Sequence, residues 1–294
     1  MGRSKETHQG SDMPRDGYPA GVPCWIDTGQ PDPEAAAAFY GELFGWELED
    51  RMPVDASSRY FVAQLDGLDV AAIGSSNDGA PVAMWKTYVW VDSADDTAAK
   101  VKAAGGSVMS EPFDVLEAGR MAVFADPSGA VFNVWQANGH RGAQLVNAPG
   151  TWNWSDLHTD DLETAEEFYG AVFGWESQTA KMGAGEWTTW HRPGYGDVLE
   201  ANDPGLRQRM KDFGAPERFE DAVATIAPAG DGVPPHWGVT FTADDTDATA
   251  AKAAELGGAV IVEPFDAGPV RMAVLRDPQG AVFSVGKYTP PTDG

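Results

Sequence analysis

The chain has 294 residues, enough for two domains of ordinary size that each bury a core. Forty-five acidic residues against 20 basic ones give a formal charge of −25, which repels phosphate backbones and anionic lipid and so argues against nucleic-acid and membrane partners. The single cysteine, Cys24, rules out a disulfide framework and suits a reducing, cytoplasmic compartment, and no apolar run approaches the roughly 18 residues of a membrane span.

Residues 1–21 contain no apolar segment and read as a disordered polar tail, not as a secretory signal. A short strand pattern at 24–28 precedes Pro31 and Asp32, which cap a helix expected over 33–43 and ended by Gly45. Strands are expected near 46–51, 59–65 and 68–73. The theme then restarts with a strand at 86–91, a helix at 94–104 closed by Gly105 and Gly106, and strands near 107–113, 119–125 and 130–136. One half is thus βαβββ written twice, and 139–150, rich in Gly, Asn and Pro, reads as a linker.

Beyond the linker the chain repeats itself. FYGELFGWE at 39–47 returns as FYGAVFGWE at 168–176, and EPFD at 111–114 returns at 263–266. RMAVFADPSGAVFNV at 120–134 returns as RMAVLRDPQGAVFSV at 271–285. Three ordered matches of this length establish an internal duplication. The offset grows between the first and second matches, so the second copy carries an insertion, placed at about 200–226 with helix starts at Asp203-Pro204 and Ala215-Pro216. The expected fold class is α+β: four βαβββ units forming two cup-shaped mixed-sheet domains, 22–138 and 151–288, related by duplication. Four units can pair within one chain, as a monomer with an internal pseudo-twofold, or further as a homodimer.

The helix signature FYGxxFGW after a strand, then GG…EPF and DPxGAVF, resembles the vicinal oxygen chelate superfamily of glyoxalases, bleomycin-resistance proteins and extradiol dioxygenases. The resemblance spans about 22–138 and 151–288 and rests on core and turn residues, so it speaks to fold more than to activity. It implies a divalent metal in each cup, held by side chains on the first strand of each unit and on the last strand, where it polarises two neighbouring substrate oxygens. Counted from the motifs, those places fall on Trp25 and Trp154, near Lys86 and Gly238 (within two residues), and on Asn133 and Ser284. These are poor ligands. No cofactor is therefore expected; the fallback is a divalent metal on a shifted set, Asp156, His158 and His236.

In place of ligands the cups offer rings. Strand alternation groups Trp25, Trp90, Trp135, Trp152 and Trp154, with Asp27, as candidates for lining a site that takes a small aromatic or polyketide-like molecule. Packing of the same rings as plain core is the competing expectation. Asp156, His158 and His191 are the candidate proton carriers. Arg120 and Arg271 are expected to pair with Asp126 and Asp277, and Cys24 to be a buried structural thiol. The expected function is metal-free small-molecule binding, with the second half as the working cup. The alternatives are an acid–base enzyme in the same cup, a metal-dependent lyase, isomerase or oxygenase with displaced ligands, and a scaffold with both cups filled.

Overall fold

The computed structural model describes residues 15–76, 83–182 and 185–289. The first half runs β1 (Pro23–Gln30), α1 (Pro33–Phe44), β2 (Glu47–Asp50), β3 (Tyr60–Leu65), β4 (Leu68–Ser75), β5 (Met84–Trp90), α2 (Ala94–Ala103), β6 (Ser107–Val115), β7 (Gly119–Ala125) and β8 (Val131–Ala137). The second runs β9 (Trp152–His158), α3 (Leu162–Phe173), β10 (Glu176–Met182), β11 (Gly185–His191), α4 (Tyr195–Asn202), α5 (Leu206–Asp212), β12 (Ala222–Ala227), β13 (His236–Thr242), α6 (Thr246–Glu255), β14 (Ala259–Ala267), β15 (Val270–Arg276) and β16 (Val282–Tyr288). The motif helices begin and end as local chemistry dictates. Asp32 and Asp161 accept from the backbone N–H three residues on, and Gly45 and Gly174 close the helices in the left-handed conformation that side chains disfavour.

Each half builds one eight-stranded mixed sheet, in the orders β2-β3-β4-β1-β5-β8-β7-β6 and β10-β11-β12-β9-β13-β16-β15-β14. The first strands of the two units, β1 with β5 and β9 with β13, pair antiparallel at the sheet centre. This is the expected α+β duplication. Alternation gives each sheet two unlike faces. One face carries the buried Ile26, Ile73, Trp85, Phe124 and Phe132 and their counterparts, of which Ile226 is partly buried, and the helices pack on it. The other face carries Trp25, Asp27 and Tyr88, or Trp154, Asp156 and Thr240, and is free of helices; it is the cup.

The helix faces of the two sheets share one core. Phe44 of α1 packs against Phe241 and, edge-on, Phe283 of the second half, and Phe132 of the first half meets Phe168, Tyr169 and Phe173 of α3. Reciprocal polar bonds accompany this packing. Tyr40 donates to Asp277 at 2.9 Å and Tyr169 donates to Asp126 at 3.0 Å. Trp85 and Trp237 in turn donate to the two tyrosine oxygens. Trp46 donates to the Gly150 carbonyl and Trp175 to the Gly21 carbonyl, both at 2.7 Å. The FY and GW letters of the repeated motif therefore tie each half to the other.

Three sequence expectations change. The tail expected over 1–21 lies outside the described residues as far as 14, but from Arg15 the chain is packed: Arg15 donates to Tyr195, and the buried Tyr18 donates to the Ala143 carbonyl at 2.6 Å. The insertion occupies 192–221, not 200–226. Ala222–Ala227 is a sheet strand matching β4, and an unforeseen helix, α4, precedes Asp203. The helix start read at Ala215-Pro216 yields only a single 3-10 turn, Phe219–Asp221. Arg120 and Arg271 do not pair with the turn aspartates. They fork onto Asp95 and Asp114, and onto Asp247 and Asp266, joining helix and strand on the surface. The turn aspartates instead accept from their own loop N–H groups and from the opposite half's tyrosine.

Because the core is shared, Tyr40→Phe strips a buried carboxylate of a donor and is expected to cost about 1.5–3 kcal/mol in urea unfolding. Residues 15–150 expressed alone are expected to show no native near-UV spectrum. Burial raises the hydroxyl pKa of Tyr18, Tyr40, Tyr60, Tyr88 and Tyr169 above the ordinary value. Groups whose pKa is raised on folding stabilise the fold at neutral pH and lose that contribution as pH climbs past about 10, where only the unfolded chain ionises. The tyrosinate absorbance of these five side chains should accordingly appear in the same step as loss of circular dichroism, not before it.

Candidate functional site

Residues directly opposite in neighbouring strands share a face, so the register lays out the floor of each cup in rows. In the first cup one row is Trp25, Tyr88 and Asn133, and the next is Ala72, Asp27 and Lys86. In the second cup the matching rows are Trp154, Thr240 and Ser284, then Thr189, Thr225, Asp156 and Gly238, then Ala227, His158 and His236. The place counted from the motifs as Lys86 and Gly238 is thus one row off: Tyr88 and Thr240 stand opposite the first-strand tryptophans. Trp25–Tyr88–Asn133 and Trp154–Thr240–Ser284 fill the row where the resemblance implies a metal. Indole offers no lone pair, and the hydroxyls of Tyr88 and Thr240 donate to Asp27 and Asp156. The residues present do not fit a divalent ion held in that manner. Among the described residues no three His, Cys, Asp or Glu side chains converge as metal ligands.

The centre of the first cup is plugged. Asp27, 5% exposed, accepts from Tyr88 at 2.7 Å and Tyr60 at 3.3 Å, with Lys86 at 3.8 Å, and Trp25 donates to Tyr60 at 3.1 Å. His140 of the linker lies edge-on to Trp25, 4.3 Å between ring centres, and against Trp135, whose indole N–H bonds its carbonyl. Burial lowers the His140 pKa. Trp90, expected on the same floor, is covered at the end of its strand by Tyr18 and the Arg141 guanidinium. Cys24 is fully buried with its thiol toward the Tyr88 carbonyl, and burial pushes its pKa up, as a structural thiol requires.

The second cup has the same backbone and smaller side chains. Asp156 accepts from Thr225 and, at 2.7 Å, from Thr240, hydroxyls in place of phenols. Trp154 is half-buried, and Phe219 of the insertion lies 5.9 Å from its ring, so the insertion reaches the cup. Next to this polar floor rises an apolar wall. Val262, Val274 and Ser284 form one row and Phe265, Met272 and Gly286 another, with Val262 and Phe265 both over 40% exposed.

Of the candidate proton carriers, Asp156 and His158 share the floor. His191 lies at the end of β11, 1% exposed, bonded to Thr189 at 2.8 Å with its other ring nitrogen buried and unpartnered. Burial, then Arg218, lowers its pKa. His158 is lowered by burial too, against the pull of Asp156. Trp152 departs from the alternation that grouped it with Trp154. A bulge pairs it with Phe241 of the helix face, and it is buried with its N–H unpartnered. Sequence reasoning missed Tyr60, Tyr88 and His140, which plug the first cup, and Thr225 and Thr240, which dress the second. Parity with Asp27 and Asp156 marks Tyr88 and Thr240 only once the antiparallel pairing of the two first strands is known.

A curved α+β sheet pair of this topology defines the class, and the comparisons place the chain within it. The profile of the glyoxalase/bleomycin resistance protein/dioxygenase superfamily matches residues 25–134, and a glyoxalase-like domain profile matches 154–286. The chain belongs to the glyoxalase/bleomycin resistance protein/dioxygenase superfamily. It is 43% identical over 280 residues to the protein named "Putative glyoxylase CFP32" of Mycobacterium tuberculosis, covering 94% of this chain and 98% of that one. It is 38% identical over 283 residues to the anthracycline biosynthesis protein DnrV of Streptomyces peucetius, covering 91% and 94%. The Mn(II)-bound glyoxalase from Novosphingobium aromaticivorans shares the fold with a TM-score of 0.58 at 18% identity, over 94% of this chain and 86% of that one. The 2,3-dioxygenase LapB from Pseudomonas sp. KL28 does so at 0.56 and 14%, over 93% and 95%.

The contrast between cups has a measurable consequence. Tyr88→Phe, in the plugged cup, is expected to cost about 1.5–3 kcal/mol of stability, because it removes a buried donor to a carboxylate. His236→Ala, at the rim of the open cup, should cost less than about 1 kcal/mol by the same chemical denaturation.

Proposed function

We propose that the second cup binds a small oxygenated polycyclic aromatic molecule without a metal in the Trp154–Thr240–Ser284 row, and that the first cup serves as its structural partner. The observation that carries this reading is the pairing of surfaces in the second cup. An apolar wall of Val262, Val274, Met272 and Phe265, with Val262 and Phe265 exposed and the other two half-buried, stands beside a floor of hydroxyls around Asp156. A flat ring system buries one face on such a wall, and its oxygens find donors and acceptors on the floor. The 38% identity to the anthracycline biosynthesis proteins DauV and DnrV supports a ligand of that chemistry.

A hydroxylated anthraquinone titrated into the full chain, followed by tryptophan fluorescence, is the direct test. Trp154→Ala should weaken binding at least tenfold, and Gly238→Val should do so by crowding the floor. Trp25→Ala should leave affinity per folded molecule within about twofold. Loss of binding in Trp25→Ala with Trp154→Ala unaffected would place the ligand in the wrong cup and overturn the reading.

One observation favours turnover as a second reading: His158 stands on the floor of the second cup near Asp156, and burial lowers its pKa against the pull of that carboxylate. If His158 is the base, the rate should fall as pH drops through its lowered pKa, and His158→Gln should abolish that dependence.

A further inference from the structure

We infer that His158 and His236 form a two-histidine site for a borderline divalent cation of the Zn2+, Ni2+ or Cu2+ kind, at the rim of the second cup and outside the row used by the superfamily. The two residues stand directly opposite each other on β9 and β13, a separation at which paired imidazoles reach a common ion. Their rings are parallel within 3° and 4.6 Å apart. Each Nδ1 faces a main-chain carbonyl, Pro234 at 2.9 Å for His236 and Pro228 at 3.4 Å for His158. Carbonyl acceptors on both rings select the tautomer whose Nε2 lone pair is free, and fixing the far nitrogen in this way is the usual support of a metal-binding histidine.

Beside His158 Nε2 the floor carries no side chain at one position. Gly238 neighbours the pair, and a Cβ there would come within 3.2 Å of His158 Nε2. The missing side chain leaves room for an ion and its remaining ligands. Asp156, two residues before His158 on the same face, adds negative charge nearby. The Nε2 lone pairs lie in the ring planes, so holding one ion requires both rings to tilt out of this parallel stack until the lone pairs converge; the long Pro228 contact leaves His158 free to make its part of that tilt. Imidazole ligands select borderline ions over Mg2+ or Ca2+. The first half has no counterpart, since Gly29 and Met84 occupy the matching register positions. The site lies four residues along β9 from Trp154, roughly 13 Å at strand rise, so it does not depend on the aromatic-ligand reading.

The test uses the full chain without an affinity tag, stripped by chelator, then titrated with Zn2+ by calorimetry and loaded with Cu2+ for electron paramagnetic resonance. One ion per chain is expected, with two equatorial nitrogens on Cu2+. His158→Ala and His236→Ala should each lower affinity at least tenfold and leave one nitrogen, the double variant should lose the site, and Gly238→Val should weaken it with both histidines present. Because His236 makes only a local backbone bond, His236→Ala keeps the fold and the comparison stands even if His158→Ala is unstable. Absence of uptake by the wild-type chain, or unchanged affinity in His236→Ala, overturns the proposal.

Discussion

The architecture depends on a buried tyrosine hydroxyl that donates across the duplication to a turn aspartate, made twice: Tyr40 to Asp277 and Tyr169 to Asp126. A carboxylate is costly to bury, and each of these is tolerated because backbone N–H groups of its own turn and the opposing phenol satisfy it. Burial still raises the Asp126 pKa, against those same bonds. With the aspartates placed, α1 and α3 are drawn between the sheets, their phenylalanines complete one core, and both cups must open away from each other.

That constraint explains how the copies diverged without loss of fold. Everything on the helix face is shared between halves, so change there is penalised twice. The cup faces belong to one half each. In the first, a carboxylate is surrounded by Tyr60, Tyr88 and Lys86 and capped by His140 from the linker. In the second, the equivalent carboxylate meets only threonine hydroxyls, and Gly238 stands in place of Lys86. Large rings against small hydroxyls is the difference between the two floors, on the same strands in the same register.

Much of this was legible in the chain. The boundaries of the motif helices, the succession of elements along each unit and the duplication follow from caps, alternation and repeated motifs, all local signals. The surface pairing of Arg120 and Arg271 was misread because sequence proximity favoured Asp126 and Asp277, whereas the strand carries each guanidinium toward a helix N-terminus. The bond from each turn aspartate to the opposite half's tyrosine has no local signal, since that partner lies more than 200 residues away in one case. Trp152 was misgrouped because a bulge, invisible in composition, shifts the strand's alternation.

By itself the sequence determined the unit, its duplication and the identity of the residues at each strand position, because backbone periodicity and capping act over a few residues. Only the tertiary structure decided which positions face each other: that β1 meets β5 antiparallel, setting Tyr88 beside Trp25 and His236 beside His158, and that the linker crosses one cup while the insertion reaches the other. Those pairings come from contacts between segments far apart in the chain, where the energy is that of burial and hydrogen-bond satisfaction, and no local rule carries that information.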